Sequence, residues 1–173
     1  MYCVSCLVLG EQPSVQRTQL QLILEPFLVT RPYYPCCVLA HPDIRCLQQI
    51  NATLRDQYSW LGLSIGTALS AALRSVAPPQ RAGAVYAALA QAIRPLLPGP
   101  ILCTDIDLLF EPMLALDPLR LLRDTSRLAP LVVLWPGTVS AARLTYAVPQ
   151  HAHYRSWSRP DVMVVSLEAL SFK

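Results

Sequence analysis

The chain has 173 residues, of which 53% are hydrophobic and 14% charged, with a formal net charge of +3 at pH 7. This length fits one domain, and so small a positive charge does not by itself indicate a nucleic-acid-binding protein. Thirteen of the fourteen basic residues are arginines and the one lysine is Lys173, which excludes a site that needs an interior lysine. The charged fraction lies below the globular average of about a quarter, which predicts that some apolar surface contacts a partner.

Neither a leader nor a membrane span is predicted. Residues 1–10 have an apolar run without the basic start of a signal peptide. Residues 57–73 carry no charge, yet they contain five polar side chains and are short for a membrane-spanning helix. We therefore expect a cytoplasmic protein with no membrane partner, in which residues 1–14 form an extension and residues 15–173 the domain.

The six cysteines do not predict a metal site. Cys3 and Cys6 form half of a zinc pattern, but the remaining cysteines offer no second pair at suitable spacing. We interpret them as small, mostly buried thiols in a reducing compartment.

Hydrophobic periodicity predicts helices that alternate with short buried strands. In chain order these are a helix over 15–27, a strand over 36–40, a helix over 44–57, a strand over 60–65, helices over 67–76 and 83–97, a strand over 101–105, a helix over 117–127, and strands over 131–135, 144–148 and 162–166. Ile44, Leu47 and Leu54 are predicted to face inward from the second helix. This alternation predicts a single α/β domain with a mostly parallel sheet flanked by helices.

Two acidic residues stand where the predicted strand over 101–105 ends. Asp105 and Asp107 would lie at the carboxyl edge of the sheet, where open α/β sheets bind their ligands. The next helix has a clear start, because Asp117 can cap it and Pro118 suits its first position. The segment 135–137, at the end of the neighbouring strand, is predicted to lie near Asp105.

The order strand, loop, helix over 36–57, followed by a strand that ends in acids, is the layout of a P-loop nucleotide site. The loop position is occupied by His41, Asp43, Arg45 and Cys46, and it has no glycine, lysine, serine or threonine. Pro42 removes a backbone donor, and Asp43 would repel a polyphosphate. Arg45 could replace part of the missing charge. The loop therefore predicts weak or no binding of ATP.

Four strings, at 106–112, 117–127, 134–137 and 144–155, together resemble BrxF, the small P-loop protein of type-three BREX bacteriophage-defence systems. The resemblance implies a P-loop-like sheet, ATP and magnesium as cofactors, and other BREX proteins as partners, with DNA reached only indirectly. It places the family's first strand-end acid at Thr104 or Asp105 and the second at Asp107. A small-molecule substrate is not expected.

Three functions stay open from the sequence. The first is an accessory component of a BREX-type complex that acts through protein contacts with weak or no ATP binding. The second is an active NTPase of the same system, with Asp105 and Asp107 as catalytic acids. The third is a glycosyltransferase-like protein, because Asp-x-Asp carboxylates can hold a divalent metal that bridges a sugar nucleotide. Apart from this metal and the magnesium that would accompany ATP, no metal site is predicted.

A partner surface is predicted on the helix over 117–127 and the loop that follows the strand over 144–148. Arg120, Arg123 and Arg127 recur at the spacing of one helix face. Tyr154 and Trp157 lie in a polar loop over 150–159, and arginine, tyrosine and tryptophan often dominate binding energy. Arg123 and Trp157 are both predicted to be exposed.

Overall fold

The computed structural model describes residues 13–30 and 32–168, with side chains from Gln19 onward. Its helices are α1 (Pro13–Thr30), α2 (Ile44–Tyr58), α3 (Ile65–Leu73), α4 (Arg81–Ile93) and α5 (Pro118–Thr125). Its strands are β1 (Cys36–His41), β2 (Leu61–Ser64), β3 (Ile101–Thr104), β4 (Leu131–Pro136), β5 (Val139–Ser140), β6 (Arg143–Tyr146), β7 (Arg155–Ser158) and β8 (Met163–Ser166). The predicted extension lies outside the described residues except for 13 and 14, and so do Cys3 and Cys6.

A five-stranded parallel sheet forms the centre of the domain, in the order β2-β3-β4-β1-β8. The central pair is β1 and β4, in register from Cys36 opposite Leu131 to His41 opposite Pro136. Both strands are buried along almost their whole length, as expected where helices cover both faces of a parallel sheet. The predicted α/β class with a mostly parallel sheet is confirmed.

The helices lie on opposite faces of this sheet. Leu24 of α1 and Ile50 of α2 pack with Leu39 and Val132 on one face. On the other face, the side chains of α3, α4 and α5 pack against alternate residues of the same strands. After β1 the chain crosses to β2 at one edge, whereas after β4 it leads to β8 on the far side of β1. The carboxyl ends of β1 and β4 therefore flank a topological switch point, the usual ligand position in such sheets.

A second, antiparallel sheet joins β5, β6 and β7. It includes β7, so the prediction of a loop over 150–159 is wrong for Arg155–Ser158. These residues pair with Arg143–Tyr146 in register and alternate between half-buried and exposed. Because Trp157 is the segment's one apolar residue, the sequence shows no apolar pattern that would predict a strand. The strand predicted over 162–166 is confirmed as β8, parallel to β1.

Helix positions agree with the prediction to within a few residues, with one difference in orientation. Leu47 and Leu54 are buried, but Ile44 is 59% exposed and Ile50 takes the predicted inward place. Ile44 is the first residue of α2. Pro26 lies inside α1, which continues past it to Thr30.

Three of the described cysteines are buried hydrophobic residues. Burial raises the pKa of Cys37 and of Cys103 to about 12, and burial together with the neighbouring thiols raises the pKa of Cys36. These thiols stay protonated at neutral pH and serve as packing groups. None of the described helices has the length and apolar character needed to cross a bilayer.

Candidate functional site

A small crevice opens at the carboxyl edge of the parallel sheet, beside the switch point. Its volume is about 170 Å³. The walls come from α2, from the segment after β3 and from the end of β4, and comprise Ile44, Leu47, Gln48, Asn51, Thr104, Asp105, Ile106, Asp107, Leu134 and Pro136. Three predicted site residues, Thr104, Asp105 and Asp107, thus lie together, and Pro136 is near Asp105 as predicted. Gln48 and Asn51 were not predicted.

Side chains of the loop between β1 and α2 form hydrogen bonds within the loop itself. Asp43 is the N-cap of α2, and its Oδ1 accepts a hydrogen bond of 2.7 Å from the backbone N–H of Arg45. The Asp43 N–H donates to His41 Nδ1 at 3.0 Å. Cys46 Sγ lies 3.7 Å from Asp43 Oδ2, and burial, together with this carboxylate, raises the pKa of the thiol. A carboxylate therefore occupies the helix N-terminus at which a P-loop binds phosphate.

This arrangement does not fit ATP and magnesium. A P-loop binds phosphate with backbone N–H groups at the start of its helix. Here the Asp43 carboxylate accepts a hydrogen bond from one of these N–H groups and adds a negative charge. Arg45 is exposed, and none of His41, Asp43, Arg45 and Cys46 is among the described residues that line the crevice. These contacts support the expectation of weak or no ATP binding, which stays a prediction.

Asp105 has an unusual backbone. Its φ of 53° and ψ of 51° lie in the left-handed region, which costs a non-glycine residue free energy. Its carbonyl accepts a 2.8 Å hydrogen bond from the N–H of Gly66, in the first turn of α3. A Cβ at Gly66 would lie 2.9 Å from that oxygen, so only glycine allows this approach. The Asp105 carboxylate accepts a bond from Thr104 Oγ1 at 3.1 Å.

Asp107 anchors the antiparallel sheet. Its Oδ1 accepts a 2.6 Å hydrogen bond from the hydroxyl of Tyr146, the last residue of β6. Burial and this bond raise the pKa of the Tyr146 hydroxyl, which therefore remains a donor at neutral pH. The Tyr146 ring stacks on Phe110 with centroids 3.3 Å apart. One oxygen of the predicted catalytic acid is thus engaged in a structural contact that the sequence did not predict.

An aromatic cluster of Phe110, Trp135, Tyr146 and Trp157 joins the two sheets. Trp135 is fully buried at the end of β4, and its ring meets Phe110 at 5.4 Å and Trp157 at 5.3 Å between centroids, edge to face. Its Nε1 donates to the carbonyl of Thr145 at 2.7 Å. The antiparallel sheet is therefore fixed above the carboxyl ends of β3 and β4.

The predicted exposure of Arg123 and Trp157 is wrong. The Arg123 side chain is only 19% exposed, because it contacts Asp124 and Asp161 and lies over the ring of Tyr34 at 4.7 Å. Trp157 is half-buried in the aromatic cluster, and its Nε1 donates to Asp117 Oδ1 at 3.1 Å. Except for Asp124, these partners are far away in sequence, so a local pattern does not reveal them.

The remaining members of the predicted partner surface vary in exposure. Arg120 is 72% exposed and lies 3.7 Å from Asp124. Arg127 is exposed beyond the end of α5, with its guanidinium 5.4 Å from the centroid of Tyr33. Tyr154 is half-buried directly before β7. Arg120 and Arg127 are thus the arginines of this group that offer their charge to solvent.

The described part of the fold does not bring metal-ligating side chains together. Across residues 13–30 and 32–168, no group of three or more His, Cys, Asp or Glu side chains is placed to hold an ion. Comparison of the chain with protein-family models, curated proteins and solved structures finds no significant match.

Proposed function

We propose that this protein is an accessory, non-catalytic component of a BREX-type bacteriophage-defence complex, located in the cytoplasm and acting through contacts with other proteins of that complex. The BREX assignment rests on the resemblance of the strings over 106–155 to BrxF. The non-catalytic role rests on one observation, the Asp43 carboxylate that caps α2 where a nucleotide phosphate would bind. The parallel sheet and its switch point are compatible with a P-loop-like ancestry.

The start of α2 and the crevice both support a non-catalytic role over an active NTPase. Asp43 accepts the Arg45 N–H and adds a negative charge at the phosphate position. Asp107 accepts the Tyr146 hydroxyl, so one of its oxygens is already occupied. An NTPase needs both a cationic clamp for the terminal phosphates and free acidic ligands for magnesium. The described residues of the crevice include no lysine or arginine.

Titration calorimetry with ATP and magnesium tests the non-catalytic role. We expect no saturable heat at ATP concentrations up to about 1 mM, which corresponds to a binding free energy weaker than about 4 kcal/mol. Micromolar binding that Asp105→Ala abolishes, and that the exposed control Glu168→Gln retains, would instead establish the NTPase alternative. Binding of a sugar nucleotide that requires manganese would favour the glycosyltransferase-like alternative.

Replacement of Arg120 tests the partner surface independently of nucleotide binding. The Arg120 side chain is exposed and forms a surface ion pair with Asp124. We therefore expect Arg120→Glu to fold normally, as judged by circular dichroism. If the surface binds an acidic region of a BREX protein, the substitution should weaken the complex by about 1 kcal/mol or more. Co-purification with the other BREX proteins provides the measurement.

Arg94→Glu is a matched control, since Arg94 is also exposed but lies beyond α4. Loss of co-purification in both variants would show a general charge effect. Retention in both would contradict the proposed surface, while the calorimetric result would still stand.

A further inference from the structure

A second cavity lies on the face of the sheet covered by α3 and α4. It is bounded by the end of α3, the start of α4 and the irregular segment 106–114, and its volume is about 480 Å³. Cavities of about 300–1,000 Å³ are typical of sites for small molecules. Its lining consists of Ser70, Leu73, Arg74, Pro78, Arg81, Leu108, Glu111, Met113 and Leu114, none of which lines the crevice at the switch point.

The inner wall of this cavity is apolar. Leu73 and Leu114 are buried with Leu108 packed against the same core, so their side chains are held in place from behind. Met113 stands at the mouth, 77% exposed. An exposed, unbranched methionine can adapt its shape to an apolar ligand, and such residues are frequent at binding surfaces. The wall therefore suits an aliphatic or aromatic body.

Two arginines give the rim of the cavity a positive charge. The Nε of Arg81 donates to the carbonyl of Val76 at 3.0 Å, which orients the half-buried guanidinium and leaves its terminal nitrogens available. Among the described residues, no carboxylate forms an ion pair with Arg81 or Arg74. Glu111 is the one acid in the lining. A guanidinium fixed through Nε can still present two parallel donors to an anion.

We propose that this cavity binds a small amphiphilic anion, with its apolar body against Leu73, Leu114 and Met113 and its anionic head at Arg81 and Arg74. The ligand class follows from the pairing of an apolar wall with two cations that form no ion pair with a described carboxylate, Glu111 of the lining included. A neutral alcohol would leave the arginines without a partner, and a cationic amphiphile would meet repulsion. The inference does not depend on the role of the protein in a defence complex.

Calorimetric titration with sodium decanoate below its micelle concentration tests the site. We expect saturable binding of one decanoate per chain, and weaker binding of 1-decanol and decyltrimethylammonium. Arg81→Met should weaken decanoate binding about tenfold, because a charged hydrogen bond to the head group is lost. Arg74→Met, at an exposed residue, should weaken it by about threefold, as expected for a more solvated charge. Arg159→Met, at an exposed arginine outside the cavity, should leave the affinity unchanged.

The two arginine variants decide the outcome together. If Arg81→Met fails to fold because the Val76 contact is lost, Arg74→Met becomes the deciding variant, because the Arg74 side chain forms no hydrogen bond with the described residues. Equal affinity for decanoate and decyltrimethylammonium would overturn the proposal. So would an affinity for decanoate that neither arginine variant changes, or the absence of saturable binding.

Discussion

Replacement of Gly137 by alanine is expected to lower the free energy of unfolding by about 3 kcal/mol or more, the upper end for overpacking a closed site. A Cβ on Gly137 would lie 1.9 Å from the carbonyl oxygen of Thr145 and 2.9 Å from Trp135 Nε1. These two atoms are joined by the 2.7 Å hydrogen bond that fixes the antiparallel sheet to β4. The backbone must move to admit the methyl group, so we expect this bond to be broken or displaced.

Gly83→Ala provides a matched control for this substitution. A Cβ at Gly83 meets nothing within 4 Å, and the residue lies inside α4. Alanine is therefore expected to stabilise the protein there by about 0.5–1 kcal/mol. Urea unfolding of both variants gives the two free energies. A Gly137→Ala protein as stable as the wild type would contradict the close approach of the two sheets.

Truncation of Trp135 to alanine is expected to cost about 3–5 kcal/mol, the range for large aromatic side chains in a core. Trp135 is fully buried and contacts Phe110, Tyr146 and Trp157. The substitution removes these ring contacts and leaves the Thr145 carbonyl without its indole donor. A part-buried carbonyl that loses its donor adds to the cost of the cavity.

Trp135→Phe separates the two contributions. Phenylalanine retains most of the aromatic volume but cannot donate to Thr145, so we expect a loss of about 1–3 kcal/mol, the cost of one unsatisfied part-buried acceptor plus a small void. Thermal unfolding followed by circular dichroism measures both variants. If Trp135→Ala lost less than Trp135→Phe, the aromatic cluster would not be the main link between the sheets.

The central sheet was predictable because its signals are local. The buried runs over 36–40, 101–103 and 131–135 are continuous and apolar, and Asp117 with Pro118 marks the start of α5. Asp117 indeed accepts the N–H of Arg120 at 3.1 Å. Patterns of this kind depend on residues within one or two turns of one another, which a sequence displays directly.

The contacts of the candidate site were not predictable for the opposite reason. Tyr146 meets Asp107, Trp157 meets Asp117, and Arg123 meets Asp161, in each case across a long stretch of chain. Sequence spacing placed Asp105 and Asp107 at the sheet edge, but not the tyrosine that binds one of them. Arg123 matched the periodicity of a solvent-exposed face, and only the fold brings Asp161 and Tyr34 to it.

The position of β1 has a consequence for the synthesis of the protein. β1 is the first strand of the parallel sheet to leave the ribosome, yet its two neighbours are β4 and β8, which begin at residues 131 and 163. Until those residues emerge, the apolar strand Cys36–His41 has two open edges on which another chain could pair. Sheets that join distant segments also fold slowly, because the intervening loop must close first. The nascent chain is therefore most prone to aggregation before residues 131–166 are made, at a stage when α1 and α2 can already shield one face of β1.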